Sequence, residues 1–364
     1  MKYIALVLLL IPLMVPATIS VRGRGRVNIA HYYVFLLIVL FSGFVTYTPD
    51  WDGYTHWMEY QSGRDYLFKT ISDYYTALGK GYAELHLTFV CLYTFLCVYL
   101  ASRLSPKNGA LISAVYVSIV YLFYTTQIRF FLAYFLFFFS CYELIIRKSW
   151  VKSLIIFIIA VSSHLAILGL MPIACFAFIA RSSPKKLPFF IIAFGILLFL
   201  VTIFAVEFLA NSGDLYFTEY LSVKEVRPTF LGSTFIFGPY IASAYFLWFA
   251  VRKELRWQQR ERASPPEFEL CWVVAVGALI YLPIAFIAQI IGHRFIVASL
   301  IFHLLAWSYI LGPKGFAFKS IPTRVSIFLL GLCFFLSTYI IPDLLGHPYY
   351  SESTRAVFES NSLF

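Results

Sequence analysis

Two ionisable side chains interrupt otherwise apolar sequence. Arg129 stands at the mouth of the run TTQIRFFLAYFLFFFS, and His164 follows two serines in VSSHLAIL. A guanidinium offers five N–H donors in a planar fork that suits a pair of phosphate oxygens, whereas an imidazole takes or gives a proton near neutral pH. The neighbours of Arg129 in sequence, Phe130 and Phe131, provide no carboxylate, so an anionic ligand would resolve the mismatch. The plainer reading of such an arginine is a snorkelling anchor at the end of a helix, and that of a lone histidine is a satisfied core residue.

Three further clusters carry chemistry. The stretch TPDWDGYTHWMEY interleaves Asp50, Asp52, His56 and Glu59 with Trp51, Tyr54, Trp57 and Tyr60. On a helix, Asp52, His56 and Glu59 share one face, as a metal site needs. Rings beside carboxylates also suit a sugar, whose apolar faces stack while its hydroxyls donate. An interfacial aromatic belt accounts for the rings equally well. The segment IGHRFIVASL puts His293 beside Arg294, a second cation for a doubly charged ligand, and GYAELHLTF sets Glu84 and His86 at the start of an apolar run. No P-loop, HExxH, GxSxG or CxxC motif occurs, which removes support for an ATPase, a zinc protease or an α/β-hydrolase. No metal and no cofactor is assigned.

The elements that must hold these groups follow from composition. The 364 residues are 61% hydrophobic and only 13% charged, about half the charged share of soluble domains, so the chain is an integral membrane protein. Apolar runs bounded by charge predict ten full spans, at about 3–20, 29–48, 82–101, 109–126, 130–146, 188–209, 233–251, 269–291, 295–311 and 325–341. The first is kept as a span because VRGRGR follows it at once, and three arginines resist translocation. The 28 apolar residues between Lys152 and Arg181 have cations on both sides, so the segment 152–181 is expected to enter and return as a hairpin of two short helices with Ser162, Ser163 and His164 at its tip. One long tilted span is the alternative.

With that hairpin, 19 of the 28 Lys and Arg lie on the cytoplasmic side and 13 of the 18 Asp and Glu lie outside. The net charge of +10 then reports topology and contact with anionic membrane lipid, with no reason to invoke nucleic acid. The expected fold class is all-α, a polytopic bundle forming a single domain over 1–364, with outer segments at 49–81 and 210–232. The six cysteines all lie in apolar segments and form no CxxC pair, so they read as small core residues.

The order of pieces, Asp50-x-x-x-Tyr54, then GYAELHLTF, QIRFFLAYFLFFFS, VSSHLAIL and HRFIVASL, resembles the EpsG/Wzy type of polysaccharide polymerases over roughly residues 45–310. The block from Arg129 to His164 is its most specific part. Members usually follow that arginine with glutamine, where this chain has Phe130. The resemblance implies a GT-C-like helical fold and a metal-independent glycosyltransferase at the periplasmic face of a bacterial inner membrane. It would join repeat units carried on undecaprenyl diphosphate, which serve as donor and acceptor, with a Wzz-type chain-length regulator as a possible partner. On that reading Arg129 and Arg294 bind the diphosphate, with His293 beside them. His164 is the base or a further diphosphate donor, Asp52 is the alternative base, Asp50 and Tyr54 hold the acceptor sugar, and Glu84 orients a partner. A transporter or flippase of the same lipid-linked substrate, or a ligase using a similar cavity, are the rival readings.

Overall fold

Inside hydrocarbon only a helix satisfies every backbone N–H and C=O within one segment, so long apolar runs fold as helices. The computed structural model describes residues 29–60, 65–182, 186–211, 230–258, 265–285, 294–311, 323–346 and 349–363. Among these, the α-helices in chain order are α1 Ile29–Gly43, α2 Trp51–Tyr60, α3 Tyr66–Ala77, α4 Tyr82–Leu104, α5 Gly109–Thr126, α6 Ile128–Ile145, α7 Trp150–Ser163, α8 Met171–Ser182, α9 Leu187–Asn211, α10 Phe230–Gln258, α11 Pro266–Gly277, α12 Leu282–Ala285, α13 Leu300–Ile310, α14 Thr323–Phe335, α15 Ile341–Leu344 and α16 Tyr349–Glu359. There is no β-strand among the described residues.

Seven of the described helical segments are long and apolar enough to cross a membrane: Tyr82–Leu104, Gly109–Thr126, Ile128–Ile145, Leu187–Phe204, Thr234–Arg252, Pro266–Ala285 and Thr323–Leu344. The run expected at 29–48 is helical only to Gly43, and the one at 295–311 is the 14-residue stretch Val297–Ile310, opened by a 3-10 turn. The expected span at 3–20 with VRGRGR, residues 212–229 of the second expected outer segment, and residues 312–322 of an expected cytoplasmic loop lie outside the described residues. The described residues form two compact units, one running to Met171 and resuming from Thr323, the other running from Pro172 to Ile310.

The first unit is built around α5, all 18 residues of which are buried. Gly109 lets α5 start against the backbone of α4, since a Cβ there would lie 2.6 Å from the carbonyl oxygen of Ala101. Hydroxyls dock its neighbours: Tyr121 donates to the carbonyl of Phe41 in α1 (2.8 Å), and Tyr339, in the π turn after α14, donates to that of Ile119 (2.7 Å). The helix ends at Gln127, whose φ of −96° and ψ of 55° leave helical geometry. The carbonyls orphaned by this break are met from α4: the Tyr93 hydroxyl donates to Tyr124 O (2.6 Å) and His86 Nε2 to Thr125 O (3.0 Å). Because α6 begins one residue later, Arg129 is placed by α5 with almost no intervening loop.

Helix α6 packs on α7 through small polar residues, with Ser140 Oγ donating to Ser153 O at 2.8 Å. The apolar stretch after Lys152 is not one continuous helix. Helix α7 stops at Ser163, His164 is extended (φ −163°, ψ 115°), a 3-10 turn covers Leu165–Leu170, and α8 follows.

A second tie joins distant parts of this unit. Asn361 pairs with Val45 in an isolated antiparallel bridge, and its Nδ2 donates to the carbonyls of Leu40 (2.9 Å) and Phe41 (3.0 Å) near the end of α1. Thr46 N donates to Ser360 O (3.1 Å) and Ser362 N to Phe44 O (2.9 Å). The segment 360–362 therefore closes on the strand-like exit of α1.

The second unit is held by close packing. Gly277 of α11 faces Ile173 and Phe176 of α8, and Gly195 of α9 faces the Ile280 backbone, where a Cβ would be 3.3 Å from the carbonyl oxygen. Ser243 of α10 accepts a hydrogen bond from Trp307 Nε1 (2.9 Å) and lies 2.9 Å from His303 Nδ1. Phe189, Ile192 and Phe204 of α9 are exposed, as lipid-facing residues are.

Candidate functional site

Arg129 does have a carboxylate partner, and it comes from far away in sequence. Its Nη1 donates to Asp65 Oδ2 at 2.5 Å. The expectation that Arg129 lacks such a partner is thereby corrected: the neighbours along α6 supply none, but the chain entering α3 does. Asp65 precedes α3 at its N-cap position and makes no side-chain cap bond, so its carboxylate is used elsewhere. The same Oδ2 lies 3.1 Å from His164 Nδ1, and Oδ1 accepts the backbone N–H of Leu165 at 3.3 Å. The helix break at His164 makes this possible, because it turns both the imidazole and the next amide toward α3.

The three side chains are largely buried, at 13% exposure for Arg129, 8% for Asp65 and 15% for His164. Burial alone would raise the pKa of Asp65. The hydrogen bond and charge of His164, the charge of Arg129 and the amide of Leu165 outweigh it and hold the carboxyl below its ordinary value of 3.8. Asp65 is thus ionised at neutral pH.

Aromatic rings form the rest of the wall. The Arg129 guanidinium carbon sits 4.2 Å from the centre of the Trp57 ring, 5.1 Å from Tyr54 and 5.2 Å from Phe68, and Nε points at the Tyr54 hydroxyl at 3.5 Å. Tyr54 stacks on Tyr82 with centres 5.4 Å apart, and Phe130 meets His164 edge to face. Among the described residues Nη2 of Arg129 makes no hydrogen bond, so the fork keeps donors for a ligand.

Arg129, His164 and Tyr54 are therefore brought together, around a residue that the sequence reading overlooked. The other candidates stand elsewhere. Asp52 is exposed on α2 with His56 and Glu59, opposite the buried Tyr54 and Met58, and Asp50 is exposed just before that helix. Glu84 accepts the Gly81 N–H at 3.0 Å and lies 4.0 Å from Lys80, which is the work of a helix N-terminal cap. Arg294 belongs to the second unit, where its Nε is buried without a hydrogen-bond partner among the described residues; His293 lies outside them. Among the described residues no three His, Cys, Asp or Glu side chains are grouped to hold a metal ion.

Asp65 carried one signal that could have found it: an aspartate directly ahead of the amphipathic helix α3. Residues 28–351 match the family described as the EpsG family. No curated protein and no solved structure matches the chain. A multi-pass helical membrane protein matched over that length belongs to the EpsG family, the family of Wzy/EpsG-type polysaccharide polymerases.

Proposed function

We propose that this protein polymerises oligosaccharide repeat units carried on undecaprenyl diphosphate, at the periplasmic face of a bacterial inner membrane. The observation that supports this reading is the convergence of Arg129 and His164 on one ionised carboxylate beneath Tyr54, Trp57 and Phe68. A cation with a spare donor and a proton-transfer group are what glycosyl transfer from a lipid diphosphate requires.

The growing chain is the donor. A hydroxyl of the incoming unit attacks the anomeric carbon, the bond from that carbon to the diphosphate oxygen breaks, and the electron pair leaves with undecaprenyl diphosphate. Arg129 stabilises the charge that builds on the leaving group, through donors left over from its pair with Asp65. Arg294, whose buried Nε has no hydrogen-bond partner among the described residues, is proposed to bind phosphate as well. His164 handles the proton of the attacking hydroxyl. Tyr54 and the exposed Asp50 are assigned to the acceptor sugar.

Purified protein in detergent, given a lipid-linked repeat unit, should yield a ladder of products. Single transfer to another acceptor would indicate a ligase, and movement without new bonds a flippase. Arg129→Ala should abolish the ladder while the protein still inserts, and unchanged chain length and yield in that variant would overturn the assignment. Arg129→Lys should lose most activity too, because a point charge replaces a planar fork.

A further inference from the structure

We infer that Asp65 is a positioning residue that selects the tautomer of His164, so that Nε2 is the atom that accepts the proton of the attacking hydroxyl. This rests on the polymerase reading above.

The argument is one of donors and acceptors. Asp65 receives Arg129 Nη1 and His164 Nδ1 on Oδ2 and the Leu165 amide on Oδ1. An ionised carboxylate can only accept, so the nitrogen 3.1 Å from it must carry the hydrogen. In a neutral imidazole the lone pair then resides on Nε2. The opposite tautomer would place a nitrogen lone pair against a carboxylate oxygen in a site that is mostly buried, where unfavourable pairs cost most.

The charges around His164 refine this. Asp65 from the start of α3 favours the imidazolium that forms on proton transfer. Arg129 from α6, on the same oxygen, opposes it, and its Nε lies 3.5 Å from the Tyr54 hydroxyl of α2. Arg129 and, once protonated, the imidazole thus share one anion. In the step, the acceptor O–H proton moves to Nε2, the new C–O bond forms and the diphosphate departs with the bonding electrons. The proton then passes from Nε2 to the released diphosphate or to water.

Sequence alone did not offer this residue, since Asp65 is 64 positions from Arg129 and 99 from His164. The arrangement also separates two tasks within one imidazole: Nδ1 for placement and Nε2 for chemistry.

The test is ladder formation by full-length protein on a lipid-linked repeat unit, with kcat and KM followed against pH for wild type, Asp65→Asn, His164→Asn and His164→Gln. Wild-type kcat should rise with pH through an acidic limb. Asp65→Asn keeps an acceptor for Leu165 but removes the charge, so kcat should fall about 10²-fold, with KM little changed and the acidic limb moved to lower pH. His164→Asn retains a donor where Nδ1 stood and so keeps the tie to Asp65, yet has no Nε2. It should fold and lose about 10²-fold or more, as should His164→Gln. An Asp65→Asn enzyme with wild-type kcat and an unmoved limb would overturn the inference while leaving the polymerase reading intact. Should Asp65→Asn not be recovered as a monodisperse protein, His164→Asn decides: activity within about threefold of wild type would overturn it. No ladder from wild type would instead overturn the underlying reading.

Discussion

The guanidinium carbon of Arg129 lies 4.2 Å from the centre of the Trp57 ring, while its Nη1 is bound to Asp65. The ring contact and the ion pair hold the guanidinium from two different elements, so together they restrain the fork. Trp57→Ala should keep the ion pair but loosen its plane, lowering the rate of ladder formation about tenfold, in line with roughly 1–2 kcal/mol for a desolvated cation–π contact. Trp57→Phe should fall between the two. Equal rates for all three proteins would mean that the ring does not position the cation.

Ionisation of Asp65 should be visible in stability. Its folded pKa is depressed below the ordinary 3.8, so the ionised group stabilises the fold above that value, and the contribution disappears as pH falls through the folded pKa. Comparing thermal unfolding of wild type and Asp65→Asn in detergent, the gap should be about 2 kcal/mol near neutral pH and should close on acidification below about pH 4. A gap that persists undiminished below that range would contradict the sign.

Gly109 should tolerate no side chain. The added Cβ of Gly109→Ala would meet Ala101 O at 2.6 Å and Ser102 N at 2.8 Å, both backbone atoms that cannot rotate away. A loss of about 2 kcal/mol is expected, read as a lowered Tm of the purified protein. Since α5 leads within one residue into α6, which carries Arg129, activity at permissive temperature should fall as well.

Asn361 should matter for α1. Asn361→Ala removes donors to Leu40 O and Phe41 O and should cost about 1–2 kcal/mol. Asn361→Asp should be worse, because it sets a carboxylate against carbonyls at the negative end of a helix dipole. Limited proteolysis near residues 44–47 would report the loosening.

Much of the bundle could be read from hydropathy, because spans such as Tyr82–Leu104 and Gly109–Thr126 are bounded by charge or by turn residues. Arg129 and His164 could be singled out because ionisable groups in apolar runs are expensive and therefore conspicuous, and Tyr54 through the Asp50-x-x-x-Tyr54 resemblance. Asp65 was less conspicuous: it is one of several carboxylates in polar sequence, and tertiary contacts across 64 and 99 positions distinguish it. Glu84 shows the converse, a carboxylate that looked available for a ligand and instead caps a helix start through Gly81. The short helix α1 escaped prediction of its end for a similar reason, as Phe44 to Tyr47 are apolar enough to extend a span but pair with residues more than 300 positions away.

That pairing bears on how the protein is made. Residues 44–47 leave the ribosome long before residues 360–362 exist, so the exit of α1 must wait through the insertion of every intervening helix before its partner arrives. Truncated nascent chains should consequently remain unclosed at this seam. A reporter appended near residue 360 would sit against the earliest membrane segments to emerge, and would need a spacer to leave the seam undisturbed.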